Sequence, residues 1–103
     1  KDNNYKERLQ EIYHSLGWKS PTYTKIKDEK IDGKRLFTCG VLTFDGKIAS
    51  VSVSTSIQKA QQEACRKELY KMNVLNTDEI QDMIDEKIIN EDGTLKTCEY
   101  THA

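Results

Sequence analysis

The apolar residues of this chain change period twice, and that ordering restricts the fold more than any other feature. Tyr5, Leu9, Ile12 and Leu16 recur at i, i+4, i+7 and i+11, one stripe of a helix. Asp2, Asn3 or Asn4 can cap its start, and Gly17 suits its end. Beyond Pro21 the spacing shortens to two. A first strand is predicted from about Thr22 to Lys27, a polar loop with Gly33 from Asp28 to Lys34, and a second strand over Arg35–Phe44. Asp45-Gly46 marks a hairpin, because such a turn demands positive φ, and a third strand follows over Lys47–Ser54. The helical period then returns over Ser56–Asn73. Ala60, Ala64, Glu68 and Met72 form its stripe, flanked by Ile57, Cys65 and Leu69. Lys59, Arg66, Lys67 and Lys71 lie mostly off that stripe and are expected to face solvent. The economical solution is α+β: an α-β-β-β-α unit, with a three-stranded antiparallel sheet carrying two helices on one face.

Charge divides the chain at the same point. The net charge is -1. Residues 1–74 carry 14 Lys and Arg against 9 Asp and Glu, a net +5, whereas residues 75–103 carry 2 against 8, a net −6. The reading is therefore a basic domain over 1–74 and an acidic C-terminal extension over 75–103, and a basic body suggests a polyanion partner. Thr77 can cap a short helix over Asp78–Asn90, with acids at its positive end. The extension is expected either to dock on the domain or to screen its charge.

Cys39, Cys65 and Cys98 are odd in number and contain no CxxC pair, which favours a reducing compartment and an intracellular location, cytoplasmic or nuclear. No run approaches the ~18 apolar residues of a membrane span, so no membrane is expected as partner. The chain opens on Lys1 rather than Met and is read as a piece of something longer.

Several local motifs resemble the double-stranded RNA-binding domain. Tyr5-Lys6-Glu7-Arg8-Leu9-Gln10-Glu11 is similar to that domain's first helix as found in ribonuclease III enzymes. Pro21-Thr22-Tyr23 resembles the P-x-Y that opens the first strand, and Phe37 stands at the phenylalanine position of the second. Ser56, Ala60, Ala64, Cys65 and Leu69 follow the spacing S-K-K-x-A-K-x-x-A-A-x-x-A-L. The resemblance covers about residues 3–73.

It implies RNA contacts from three regions, spanning two minor grooves and the intervening phosphates over ~16 base pairs. In the first helix these are Lys6, Gln10 and Glu11; in the loop after strand one, Lys30 and Lys34; at the start of the second helix, Ser56, Gln58 and Lys59. Two regions depart from the pattern. The loop histidine is absent, since Lys30-Ile31-Asp32-Gly33 stands where G-P-x-H is usual. The signature K-K-x-A-K reads Ile57-Gln58-Lys59-Ala60-Gln61, so all three lysine positions lack charge. Lys59 sits at the variable position, about 100° around the helix from the preceding side chain.

The resemblance implies double-stranded RNA binding by shape, positioning RNA for an attached ribonuclease III-like nuclease. The alternative is a degenerate copy of the fold, serving protein interaction or homodimerisation with weak RNA binding. The chain is not itself expected to be an enzyme. The nuclease's E-x-x-x-x-x-G-D block, whose carboxylates hold divalent metal, does not occur, and the parent is expected to carry it. No cofactor and no metal is expected. Cys98 and His102 have C-x3-H spacing, but a tetrahedral site needs two further ligands. Trp18 is expected to pack over the helix end, because a duplex keeps its bases stacked.

Overall fold

The computed structural model describes residues 4–96. Helix α1 spans Tyr5–Ser15; strands β1, β2 and β3 span Thr22–Ile31, Lys34–Leu42 and Ile48–Ser54; helices α2 and α3 span Ile57–Lys71 and Thr77–Asp85. The sheet is antiparallel in the order β1-β2-β3, with α1 and α2 on one face. Asn4 caps α1 by accepting from the Glu7 N–H at 3.2 Å. Tyr5, Leu9 and Tyr13 turn inward from α1, where Tyr13 donates to the Leu42 carbonyl. Trp18 meets the Tyr13 ring edge-on at 5.1 Å and stacks on Phe44 at 4.8 Å, closing the helix end.

The segment expected as a loop over Asp28–Lys34 is mostly strand. Pairing continues from Lys27↔Thr38 to Ile31↔Lys34. Only Asp32 and Gly33 turn, at φ 52 and 78, the left-handed pair of a two-residue hairpin. The signal was present in the sequence, since Asp32-Gly33 is the same dipeptide type as Asp45-Gly46. At the second turn only Gly46 has positive φ, and a longer loop joins Leu42 to Ile48.

Helix α2 lies close over β2 and β3 because Ala60 and Ala64 present almost no side chain to the sheet. Ser50 and Ser52 face it and are buried, and Ser50 donates to Glu68 Oε1 at 2.8 Å. A larger residue at either serine would push the helix off the sheet. Two off-stripe lysines of α2 are not merely solvated: Lys67 donates to the Val51 carbonyl at 2.9 Å and Lys71 to that of Ala49. Both carbonyls lie on the edge of β3 that has no partner strand among the described residues.

Arg66, expected to face solvent, is 5% exposed. Its flank of α2 is covered by α3 and the chain after it. Glu86 receives its guanidinium through two bonds of 2.9 Å, and the Tyr5 ring lies 5.4 Å from it. The Glu86 contact, followed by Glu63, raises its pKa against the cost of burial. Arg8 pairs with Glu79 in the same way. Asn76, one residue earlier than expected, caps α3 in a reciprocal box with Glu79. Leu75, Met83 and Ile89 join Leu9 and Leu69 in the hydrophobic core. The acidic segment is docked, and at least two of its carboxylates are committed to arginines.

Burial pushes the Cys39 and Cys65 thiols up, in Cys65 against a partial offset from the Tyr23 hydroxyl and Lys6. Reaction with a disulfide reagent should therefore be blocked at Cys39 and Cys65 in the native protein and released in guanidinium. Labelling of either in native buffer at the rate of free thiol would contradict this packing. Cys98 and His102 lie outside the described residues. Among the described residues no helix is long and apolar enough to cross a membrane.

Candidate nucleic-acid interface

The start of α2 and the start of α1 are tied together by three glutamines. Gln62 Oε1 accepts from the backbone N–H groups of Tyr5 at 2.8 Å and Lys6 at 3.1 Å, satisfying donors that a helix start leaves without partners. This places Lys6 beside α2. Its ammonium donates to Gln61 Oε1 at 2.8 Å and to Gln58 Oε1 at 3.3 Å, and lies 5.0 Å from the centre of the Tyr23 ring. Gln58 and Gln61 are two of the positions where the resemblance leads one to expect lysine. A single positive charge thus reaches that place from the other helix.

Ser56 caps α2, accepting from the Lys59 N–H at 3.1 Å. Gln58 and Lys59 are exposed beyond it. The structure therefore brings Lys6 to Gln58, and Ser56 to Lys59. Gln10 and Glu11 are exposed on the outer side of α1. Lys30 and Lys34 stand on the hairpin arm instead of a flexible loop, and strand alternation puts them on opposite faces. Lys30 shares with Arg35 and Phe37 the face that carries the helices; Lys34 does not.

Arg35 is held along that arm. Its guanidinium grips Asp28 through bonds of 2.9 and 2.8 Å and lies 5.1 Å from the Phe37 ring centre. The Arg35 hydrogen bond, against desolvation and with help from Lys25, brings the Asp28 carboxyl down to about 2. The pair keeps its ionic character throughout the neutral range.

The sequence does not point to Gln62 or Tyr23, nor to the use of Gln61, as parts of the candidate interface. Gln61 carried the signal of an altered signature position, but the partner that gives it meaning is 55 residues away. Among the described residues there is no group of three or more His, Cys, Asp or Glu that could hold a metal ion.

Two helices on one face of a three-stranded antiparallel sheet, with α1, the β1–β2 arm and the start of α2 offering polar groups, define a module of the α-β-β-β-α class. Residues 5–71 match the family model described as the double-stranded RNA binding motif, and the chain belongs to that family. It is similar to a probable ribonuclease 3 of Acanthamoeba polyphaga mimivirus, with 32% identity over 66 residues, or 64% of this chain and 12% of that protein. It is also similar to a ribonuclease 3 of Pelotomaculum thermopropionicum, with 32% identity over 73 residues, or 71% of this chain and 30% of that protein. The chain thus spans less than a third of either relative.

Proposed function

We propose that this module binds double-stranded RNA by shape and positions the duplex for a ribonuclease III-like nuclease in the same protein. Family membership supports the RNA partner, and the two ribonuclease 3 relatives support the nuclease connection. The observation that carries the reading for this chain is Lys6 between Gln58 and Gln61. It supplies positive charge where the second helix lacks it, next to an N-terminus whose dipole favours a phosphate. Gln10 and Glu11 can meet ribose 2′-hydroxyls in a minor groove, Lys30 a phosphate beside the hairpin arm, and Ser56, Gln58 and Lys59 the phosphates ahead of α2. Lys34 serves only a strand that passes behind the arm.

A fluorescence titration with a ~20-base-pair RNA duplex, the matching DNA duplex and single-stranded RNA tests this, since a site of ~16 base pairs must fit. RNA-duplex preference is the expected result. Lys6→Met should weaken that binding and lower the slope of log affinity against log salt by about one. Absence of duplex binding at low salt, with dimers in light scattering, would favour the protein-interaction reading instead. Ile57, 37% exposed at the start of α2, is the feature that would serve it.

A further inference from the structure

A second basic site lies on the other side of α2. Lys67 of α2, Lys87 just past α3 and Lys96 line one cleft of about 380 Å³ beside Val53 of β3. Among the described residues Glu63 is the one carboxylate in its wall, and it already lies 3.3 Å from the Arg66 guanidinium. The cleft is therefore net positive. Lys87 and Lys96 are exposed and make no side-chain hydrogen bond or ion pair among the described residues.

The backbone at Lys87 is a second indication. Its φ is 64, in the left-handed region that favours glycine or asparagine. The ends of α1 and α2 use Gly17 and Asn73 in that conformation, at φ 80 and 62. A lysine at the third helix end accepts the strain, and its charge is brought to the cleft.

The β3 edge distinguishes between the anions that could fill it. An extended acidic peptide would gain most by adding to the sheet as a further strand. Lys71 and Lys67 already lie across the carbonyls of Ala49 and Val51, so an added strand would have to displace both side chains. A phosphodiester backbone needs only the ammonium groups. With 100° per residue, Lys67 points about half a turn around α2 from Gln58, away from the Lys6 site.

We propose that the Lys67, Lys87 and Lys96 cleft is a second phosphate site, which takes the backbone of another double-stranded RNA segment on the flank of α2 opposite Lys6. This rests on the RNA-binding reading above. The test is a salt titration of the full chain with long double-stranded RNA, comparing wild type with Lys87→Asn/Lys96→Gln. Asparagine keeps the left-handed backbone, so the fold is retained. The slope of log affinity against log salt should fall by about two, and by about one more when Lys6→Met is added, because the two flanks act independently. Lys96→Gln alone, at an exposed position, should lower it by about one and serves if the double variant melts early. An unchanged slope in a wild type that binds RNA overturns the second site and leaves the first. A wild type that binds no RNA overturns both. Binding of poly-glutamate as tight as RNA, lost in the double variant, overturns the assignment to phosphate.

Discussion

Met83→Ala should destabilise the protein by about 2–5 kcal/mol, the cost of emptying a buried methionine site that can relax only in part. Met83 is 0% exposed and packs in one cluster with Leu9, Leu69, Leu75 and Ile89. A domain of this size has about 5–15 kcal/mol in total, so the loss is a large fraction of it. Urea unfolding should show a lower midpoint, and a thermal scan a Tm lowered by about 10 °C or more. A loss below about 1 kcal/mol would mean that α3 is dispensable to the core. The same packing changes what removal of the acidic segment would do. Screening of the basic body would predict tighter RNA binding after deletion of residues 75–103. The structure instead makes that deletion expose Leu9 and Leu69 and release Arg8 and Arg66 from Glu79 and Glu86. Core exposure outweighs any gain in surface charge.

Gln58→Lys with Gln61→Lys should raise affinity for double-stranded RNA by about tenfold or more at low salt and steepen the salt dependence by about two. The substitutions restore ammonium groups at two signature positions while the first turn of α2 stays capped by Ser56. The change is not free of cost. Lys6 loses both carboxamide acceptors and meets two like charges, which should remove about 1 kcal/mol of stability per lost hydrogen bond at most. In the RNA complex that crowding is relieved, because phosphates take up all three ammoniums. Binding to single-stranded RNA should gain less, since the shape of the A-form duplex aligns the phosphates. If duplex affinity stays the same, the start of α2 does not touch the RNA, and the role given to Lys6 fails with it.

The elements were readable because their signals are local. Helical stripes at Tyr5–Leu16 and Ala60–Met72, alternation along Phe37, Cys39 and Val41, and Gly17 and Gly46 at turns each need only a few neighbouring residues. Apart from the Asp32-Gly33 turn, whose signal is local, the errors arose where a neighbour in space was missing from the neighbourhood in sequence. Ser50 and Ser52 lie beneath α2, because small residues are what a closely approaching helix permits, and nothing near them in the chain announces that helix. Arg66 lies off the apolar stripe of α2, yet is buried because a third helix covers that flank. In the interface, the residue types were readable and their use was not. Gln58 and Gln61 read as lost charge in the sequence, and only the fold puts Lys6 between them.

The sequence by itself determined the order of elements, the membership in a family of RNA-duplex binders and the inventory of charges. Periodicity, turn chemistry and motif spacing are properties of residues close along the chain. The tertiary structure decided which of those charges remain available. Arg8, Arg35 and Arg66 are spent on carboxylates, Lys67 and Lys71 each give one bond to the edge of β3 and keep their charge, and Lys6 is delivered to a helix that begins more than fifty residues later. An ion pair or a lysine–carboxamide bond forms at a few ångströms, and only folding brings residues so far apart in the chain to that distance.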